Sequence, residues 1–275
     1  MLKDFYYTKN NDDTDEHLYI NEWVSHYFSL GVDKIFLFDN DDKGSPYIGD
    51  FIDKAYLPKI KIINARGVDR DGMQHDFYTN FYNIQKDNFD WCLFCDIDEF
   101  LLGTTNIKQF LSNNKFKNFE QIRIKWKMFG DNDLITRDMS NGLIKTFTKE
   151  VTTTLSKDLS KECGLLNQGK AIVRGHLKDI SFNSVHFATR KNKLLVSCLP
   201  SGKPCVSLVE IKEDYSNENI FLNHYMTKSL SEFVNQKMNR TDAVFGQRNL
   251  KLNYYWRINR KTPEKIEYIK NLGLE

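Results

Sequence analysis

The sequence has little excess charge of either sign, which argues against nucleic acid as its partner. Its 39 basic and 37 acidic residues give a formal net charge of +2. Proteins that bind nucleic acid usually carry a basic surplus or a basic stripe, and this sequence has neither. We therefore expect no nucleic-acid partner.

Long apolar runs are also missing. No run of about 18 apolar residues occurs, so the sequence predicts no transmembrane segment. The opening residues, MLKDFYYTKNNDD, lack the apolar stretch of a signal peptide. The five cysteines are an odd number at irregular spacings, which is typical of reduced thiols. These features predict a cytoplasmic protein whose only membrane contact would be peripheral, at the inner face.

Repeats, low-complexity tracts and linkers are absent as well, so the 275 residues predict a single domain. In the first half, patterns of buried strands at 35–38, 60–63 and 91–95 alternate with helical patterns at 15–30 and 74–86. Such alternation favours an α/β fold with a parallel sheet and flanking helices.

The second half has a more irregular and more antiparallel pattern. Asn106 is expected to cap a short helix, after which segments that alternate in polarity predict strands within 121–126, 143–154, 170–175 and 182–188. Ser229 with Glu232 forms a capping box, and Thr262 with Pro263 predicts the start of a final helix. Two C-terminal helices should therefore follow the antiparallel strands.

Three acidic residues, Asp96, Asp98 and Glu99, follow the apolar strand 91–95. Side chains two apart on a strand point to the same side, so Asp96 and Asp98 should converge where open α/β sheets bind ligands. Two carboxylates repel each other unless a proton or a cation joins them. We favour a divalent hard cation, bound by these oxygens and by substrate phosphates, over helix caps or surface ion pairs. Glu99 points to the other face and should contribute less.

Other uses of this segment fit less well. A calcium-binding loop would require Gly and Glu where Leu101 and Ile107 stand. The haloacid dehalogenase type of phosphatase has a small or β-branched residue in place of Phe100. Cys92 and Cys95 would face opposite ways on a strand, which favours buried structural thiols over a zinc or redox site.

The whole sequence resembles a bacterial GT-A glycosyltransferase of the family-2-like group that is related to glycosyltransferase family 92. At the start, KNNDDTDE (9–16) replaces the short Lys-Asn-Glu usual in that family. The matching segments occur in the family's order and cover most of the chain. They are EWVSHYFSLGVDKIFLFDND (22–41), the 74–82 segment, DWCLFCDIDEFL (90–101), KWKMFGDNDLI (125–135), GKAIVRG (169–175), LNHYMTKSLSEFVNQKMNR (222–240) and NRKTPEKI (259–266).

The resemblance implies a GT-A (Rossmann-like) mixed sheet, with 1–105 as the nucleotide-sugar-binding half and 106–275 as the acceptor-binding half. It implies metal-dependent, inverting transfer of a hexose, such as galactose or glucose, from a UDP-sugar to a saccharide or lipid-linked saccharide. Synthesis of a surface glycan, such as capsule or lipopolysaccharide, is the expected role. A metal ion would stabilise the charge that develops on the diphosphate leaving group.

The resemblance also assigns residues to the donor and to the metal. His224 joins Asp96 and Asp98 as a metal ligand, with His186 as the alternative, and imidazole suits Mn²⁺ better than Mg²⁺. The start of the capped helix offers free backbone N–H groups to phosphate. The donor-binding candidates are Asp39, Asn40, Arg66, Gln74, Asp96, Lys228, Lys237 and Arg240.

Inverting transfer requires a base that takes the proton of the acceptor hydroxyl. Asp133 and Asp131, in a polar loop at a family match, are the candidates, followed by Glu162 or an acid near His186. Two other functions remain open. The acids could serve a phosphatase or nucleotidyltransferase, or the protein could be a non-catalytic module that binds sugar nucleotides or glycans.

Overall fold

The structure of the protein is a computed structural model, which describes residues 2–6, 15–40, 44, 46–68, 72–151, 167–207, 210–238 and 251–274. The strands are β1 (Leu2–Tyr6), β2 (Ile35–Asp39), β3 (Ile60–Asn64), β4 (Trp91–Phe94), β5 (Glu99–Leu102), β6 (Gln121–Met128), β7 (Gly169–Arg174), β8 (Ile180–Ser184), β9 (Phe187–Arg190), β10 (Lys193–Leu194), β11 (Ser197–Cys198), β12 (Pro204–Cys205) and β13 (Phe221–His224). The helices are α1 (Ile20–Ser29), α2 (Met73–Gln85), α3 (Ile107–Leu111), α4 (Leu143–Thr146), α5 (Leu230–Glu232, continued by the π-helical Phe233–Lys237), α6 (Leu252–Ile258) and α7 (Pro263–Asn271).

The first half builds a parallel sheet in the order β3-β2-β1-β4, covered by helices on both faces. Strand β2 shows how the sequence specifies this layering. Ile35 and Leu37 pack in the apolar cluster that contains α1, whereas Phe36 and Phe38 pack in the cluster that contains α2. Because alternate side chains of a strand point to opposite faces, a continuous apolar run fills both layers.

The second half adds antiparallel pairs to the same sheet. Strand β7 lies antiparallel between β4 and β6, and the sheet continues through β11 to β12. Strands β8, β9 and β10 form a separate antiparallel sheet. The predicted α/β class, with a mixed sheet, flanking helices and a partly antiparallel second half, is therefore confirmed.

One predicted strand is wrong over its first part. Residues 143–146 form helix α4, whereas Glu150 makes an isolated antiparallel bridge with Phe129, and residues 152–154 lie outside the described residues. The Glu22 carboxylate accepts hydrogen bonds from the backbone N–H groups of Leu143, at 2.6 Å, and Ile144, at 3.2 Å. A carboxylate from α1 thus supplies the missing partners at the start of this helix.

The predicted helix starts are confirmed, and one of them positions the candidate site. The Asn106 side chain accepts a hydrogen bond from Gln109 N, and Ser229 with Glu232 forms the complete capping box. Strand β13 pairs antiparallel with β5 and parallel with β6, and a short turn then leads into α5. This connection brings His224 and α5 beside the turn between β4 and β5.

The lengths of the helices bear on whether the chain could span a membrane. None of the helices within the described ranges is long and apolar enough to cross a membrane.

Candidate functional site

The acidic segment forms a tight turn between β4 and β5. The chain leaves the strand after Phe94, and Glu99 N donates to Asp96 O at 3.0 Å. In return, Asp96 N donates to the Glu99 carboxylate at 2.8 Å. The expectation that Asp96 and Asp98 share one side of a strand is therefore wrong, because neither residue lies in the strand.

Asp96 is paired with a buried lysine of the neighbouring strand β7. Lys170 Nζ lies 3.0 Å from Asp96 Oδ2 and 3.9 Å from Glu99 Oε2, and its side chain is only 1% exposed. Burial opposes the charge on Lys170, but Asp96 and Glu99 hold its pKa well above the usual range. Burial also raises the pKa of Glu99 well above its usual range, against the effect of Lys170. Gln74 Nε2 contacts the other oxygen of Asp96 at 3.4 Å.

Asp98 lies among a different set of cations. Its Oδ2 atom is 3.0 Å from Lys237 Nζ and 3.7 Å from Lys228 Nζ, while Oδ1 is 3.5 Å from His224 Nε2. Burial alone would raise the pKa of Asp98, yet Lys237 and His224 hold it well below the usual range. The Asp98 side chain is therefore an ionised carboxylate, although it is only 8% exposed.

Lys228 has an unusual backbone conformation. Its φ is +51°, a left-handed value that costs a non-glycine residue free energy and that clusters at functional sites. The conformation directs its ammonium over the Tyr19 ring, 4.8 Å from the centroid, and toward Asp98. Lys228 and Lys237 were both predicted from the sequence as donor-binding residues, and the structure brings them to the same carboxylate.

The Trp126 ring packs between two histidines, His224 and His186. The Trp126 ring lies 4.5 Å from the His224 ring and 5.1 Å from the His186 ring, measured between centroids. Burial lowers the pKa of His186 to about 3, so this imidazole is neutral and its Nδ1–H donates to Gly169 O at 3.0 Å. His186 therefore contacts the same tryptophan as His224, the predicted metal ligand.

The residues present fit a divalent metal only in a limited way. Within the described ranges, no group of three or more His, Cys, Asp or Glu side chains is arranged to hold a metal ion. Asp98 Oδ1 and His224 Nε2, at 3.5 Å, are close enough for two ligands of one ion when each bond is about 2.1 Å. The oxygens of a bound phosphate and water would have to supply the remaining ligands. Asp96, which contacts Lys170, is less suited to the same ion.

The predicted donor-side residues that follow β2 and β3 lie close together. Arg66 Nε donates to Asp39 Oδ2 at 2.8 Å, and another Arg66 nitrogen donates to Pro46 O. Asn40 is 2% exposed, and neither atom of its side-chain amide has a hydrogen-bond partner in the described part of the chain. The Tyr47 ring lies 5.8 Å from the Arg66 guanidinium and is 46% exposed. This edge therefore offers a planar cation, a ring and an unused amide.

The candidate bases are held by lysines. Asp131 is 3% exposed; Lys265 Nζ lies 2.5 Å from its Oδ2, and the Tyr255 hydroxyl donates to the same oxygen. Asp133 is more open, with its side chain 32% exposed, and Lys149 Nζ donates to it at 2.9 Å. This hydrogen bond lowers the pKa of Asp133. Of the two, Asp133 is the one whose carboxylate a substrate can reach.

The loop that carries these acids contacts the elements of the Asp98 site. Asn259 accepts a hydrogen bond from Asp131 N at 2.7 Å and donates to Thr227 at 3.1 Å. Leu230 N, at the start of α5, donates to Leu134 O. The loop is thus fixed to both ends of the turn that contains Lys228. Arg240 and Glu162, also predicted from the sequence, lie outside the described residues.

A cavity of about 860 Å³ lies at the opposite edge of the sheet, where β2 and β4 begin. Val32, Trp91 and Arg174 are among its lining residues, and none of the predicted site residues is. This cavity is therefore separate from the candidate site at the acidic turn.

Lys170 is the residue that the sequence-based prediction missed. It lies within an apolar strand, where a single lysine flanked by Gly169 and Ala171 is unusual. A lysine among residues that read as fully buried requires a buried acid as its partner, and this signal could have linked it to Asp96.

Comparison of the chain with protein-family models and with curated proteins gave no match.

Proposed function

We propose that this protein is a glycosyltransferase that uses a UDP-hexose donor and a divalent metal, Mn²⁺ or Mg²⁺. The observation that carries the proposal is the arrangement of His224, Lys228 and Lys237 around the Asp98 carboxylate. A nucleoside diphosphate leaving group gains negative charge as its bond to the sugar breaks, and positive groups held in place stabilise that charge.

The residues of the site would bind different parts of the donor, according to their positions. Asp98 and His224 would hold the metal, which supplies Lewis-acid stabilisation of the leaving diphosphate. Lys228 and Lys237, which lie 3.7 and 3.0 Å from Asp98, would contact the phosphate oxygens of a donor bound there. Asp39 and Asn40, at the end of β2, and Arg66, just after β3, would bind the nucleoside, for which a buried amide and a planar cation are suitable partners.

The acceptor side is assigned to the loop of Asp131 and Asp133. Asp133 is partly exposed and would accept the proton of the attacking hydroxyl, which is the requirement of an inverting mechanism. Asp131 would position this loop through Lys265 and Tyr255. A saccharide or lipid-linked saccharide acceptor, used in surface-glycan synthesis at the inner face of the membrane, completes the proposal. Hexose, inversion and location rest on the resemblance of the sequence.

The direct test is donor hydrolysis and thermal stabilisation across a set of nucleotide sugars, each measured with and without Mn²⁺. We expect UDP-sugars to stabilise the protein in the presence of Mn²⁺. Asp98→Asn should lower turnover by at least about 100-fold while the protein remains folded, because it removes a ligand and a charge. Asp33→Asn is the matched control, since that carboxylate is 73% exposed and lies at the opposite edge of the sheet.

Other outcomes would replace the proposal. Near-normal transfer by Asp98→Asn with Mn²⁺ present would remove Asp98 from the metal site. Release of phosphate from phosphate esters without sugar transfer would indicate a phosphatase, in which Asp96 beside Lys170 becomes the candidate nucleophile. Tight binding of a sugar nucleotide without any turnover would indicate a binding module.

A further inference from the structure

We infer that Lys237 couples the binding of donor and metal by serving as an exchangeable counterion. In the free protein its ammonium neutralises Asp98. With donor and metal bound together, Asp98 would hold the metal and Lys237 would contact the diphosphate instead. This inference rests on the proposed function and adds a condition to it: a divalent cation binds well only together with the donor.

The charges around the turn make a lone divalent cation unfavourable. Three ammonium groups, those of Lys170, Lys228 and Lys237, contact three carboxyl groups, those of Asp96, Asp98 and Glu99. The cluster therefore has no excess negative charge. A cation that approached Asp98 alone would meet two ammonium groups that already contact Oδ2 within 3.7 Å. A diphosphate brings the negative charge that the cluster lacks.

Lys237 is the lysine that can move. Lys170 is 1% exposed and lies between two carboxyl groups of the same turn. Lys228 is also 1% exposed, and it is fixed by its strained backbone and by the Tyr19 ring. Lys237 is 13% exposed, is the last residue of the π-helical segment, and contacts Asp98 through its terminal nitrogen. Its unbranched side chain can turn away without moving the backbone.

The test measures Mn²⁺ binding, by the electron paramagnetic resonance signal of the free ion, with and without UDP. In the wild type we expect UDP to raise the affinity for Mn²⁺ by at least about 10-fold, within the usual range for coupled sites. In Lys237→Met, Mn²⁺ alone should bind about 10-fold more tightly than to the wild type, because one competing ammonium is gone. The increase caused by UDP should then fall below about 3-fold.

Two further variants act as controls. Lys237→Arg keeps the charge and should keep the UDP-dependent increase close to that of the wild type. Lys108→Met removes the same charge at an exposed site, where Lys108 pairs with Asp33, and should behave as the wild type. If circular dichroism shows that Lys237→Met does not fold, Lys237→Gln removes the charge and keeps a polar end.

The outcomes separate the two proposals. If the wild type binds UDP with Mn²⁺ but the charge-removing variants show the same coupling and the same affinity for Mn²⁺ alone, the inference about Lys237 is wrong and the proposed function stands. If the wild type binds no UDP under any condition, the proposed function fails, and this inference fails with it.

Discussion

Replacing Lys265 by Met should lower the free energy of unfolding by about 3–4 kcal/mol, because it leaves a buried carboxylate without its cation. The Lys265 side chain is 0% exposed. Its ammonium lies 2.5 Å from Asp131 Oδ2 and 3.6 Å from Asp133 Oδ1, and it donates to Arg260 O at 3.1 Å. One nitrogen thus serves three acceptors on two segments of the chain.

The magnitude follows from what remains after the substitution. Breaking a buried ion pair from one side costs about 3–5 kcal/mol. Asp131 keeps the Tyr255 hydroxyl and the N–H of Asp133, at 2.9 Å, as hydrogen-bond donors, so we expect the lower half of that range. Met retains most of the volume of the lysine stem, and the cost of a cavity is therefore small.

The assay is urea unfolding, followed by tryptophan fluorescence and by circular dichroism, since coincident transitions justify a two-state free energy. Lys149→Met is the control, because that lysine is 63% exposed and its partner, Asp133, belongs to the same loop. An exposed pair of this kind is worth less than about 1 kcal/mol. Adding Asp131→Asn to Lys265→Met removes both charges and should restore part of the lost stability.

Equally small losses of stability in the two lysine variants would contradict this prediction. If Lys265→Met and Lys149→Met both cost less than about 1 kcal/mol, the buried pair does not fix the loop. Asp131 would then be freer to act on a substrate than its contacts suggest. A loss of about 3 kcal/mol or more by Lys265→Met, without a matching loss by Lys149→Met, means that the buried pair fixes this loop.

Local signals explain what could be predicted from the sequence. Strands β2 and β4 are short apolar runs buried on both faces, and this pattern depends only on neighbouring residues. The caps at Asn106 and Ser229 are equally local, because each joins residues three apart. Such features fix the elements, and the alternation of elements then indicates the α/β class.

The partners of the acids could not be predicted, because they come from distant parts of the chain. Lys170 is 74 residues from Asp96, and Lys237 is 139 residues from Asp98. The first contact depends on β7 being placed beside β4 in antiparallel orientation, which no local pattern specifies. The sequence therefore indicated an acidic site, whereas the structure shows an acidic site that is already neutralised.

The error at α4 has the same origin. A four-residue segment is too short for its hydrophobic period to separate helix from strand. The deciding contact is the Glu22 carboxylate at the start of α4, which is 121 residues from Leu143. Long-range contacts thus override weak local preference in such short segments.

Three further predictions concern backbone space, pH and the candidate base. Gly103→Ala should lower the free energy of unfolding by at least about 2 kcal/mol in the same urea assay, because an added Cβ would lie 1.9 Å from Asn219 O. Gly72 also has a positive φ but has open space around it, so Gly72→Ala should cost only about 1 kcal/mol. The pKa of His186 is about 3 in the folded protein, below its unfolded value of about 6.5, so its contribution to stability is complete above pH 6.5 and is lost as the pH falls. His186→Asn keeps a donor for Gly169 O, and its melting temperature should fall less than that of the wild type between pH 7.5 and 5. The last prediction follows from the lysine that lowers the pKa of Asp133. If Asp133 is the base, Asp133→Asn should slow transfer by about 10²–10⁴-fold with little change in donor affinity. Lys149→Met should raise the pKa of Asp133, and the acid limb of the pH–rate profile should move to higher pH. A profile that stays in place in Lys149→Met, together with normal transfer by Asp133→Asn, would mean that another group takes the proton.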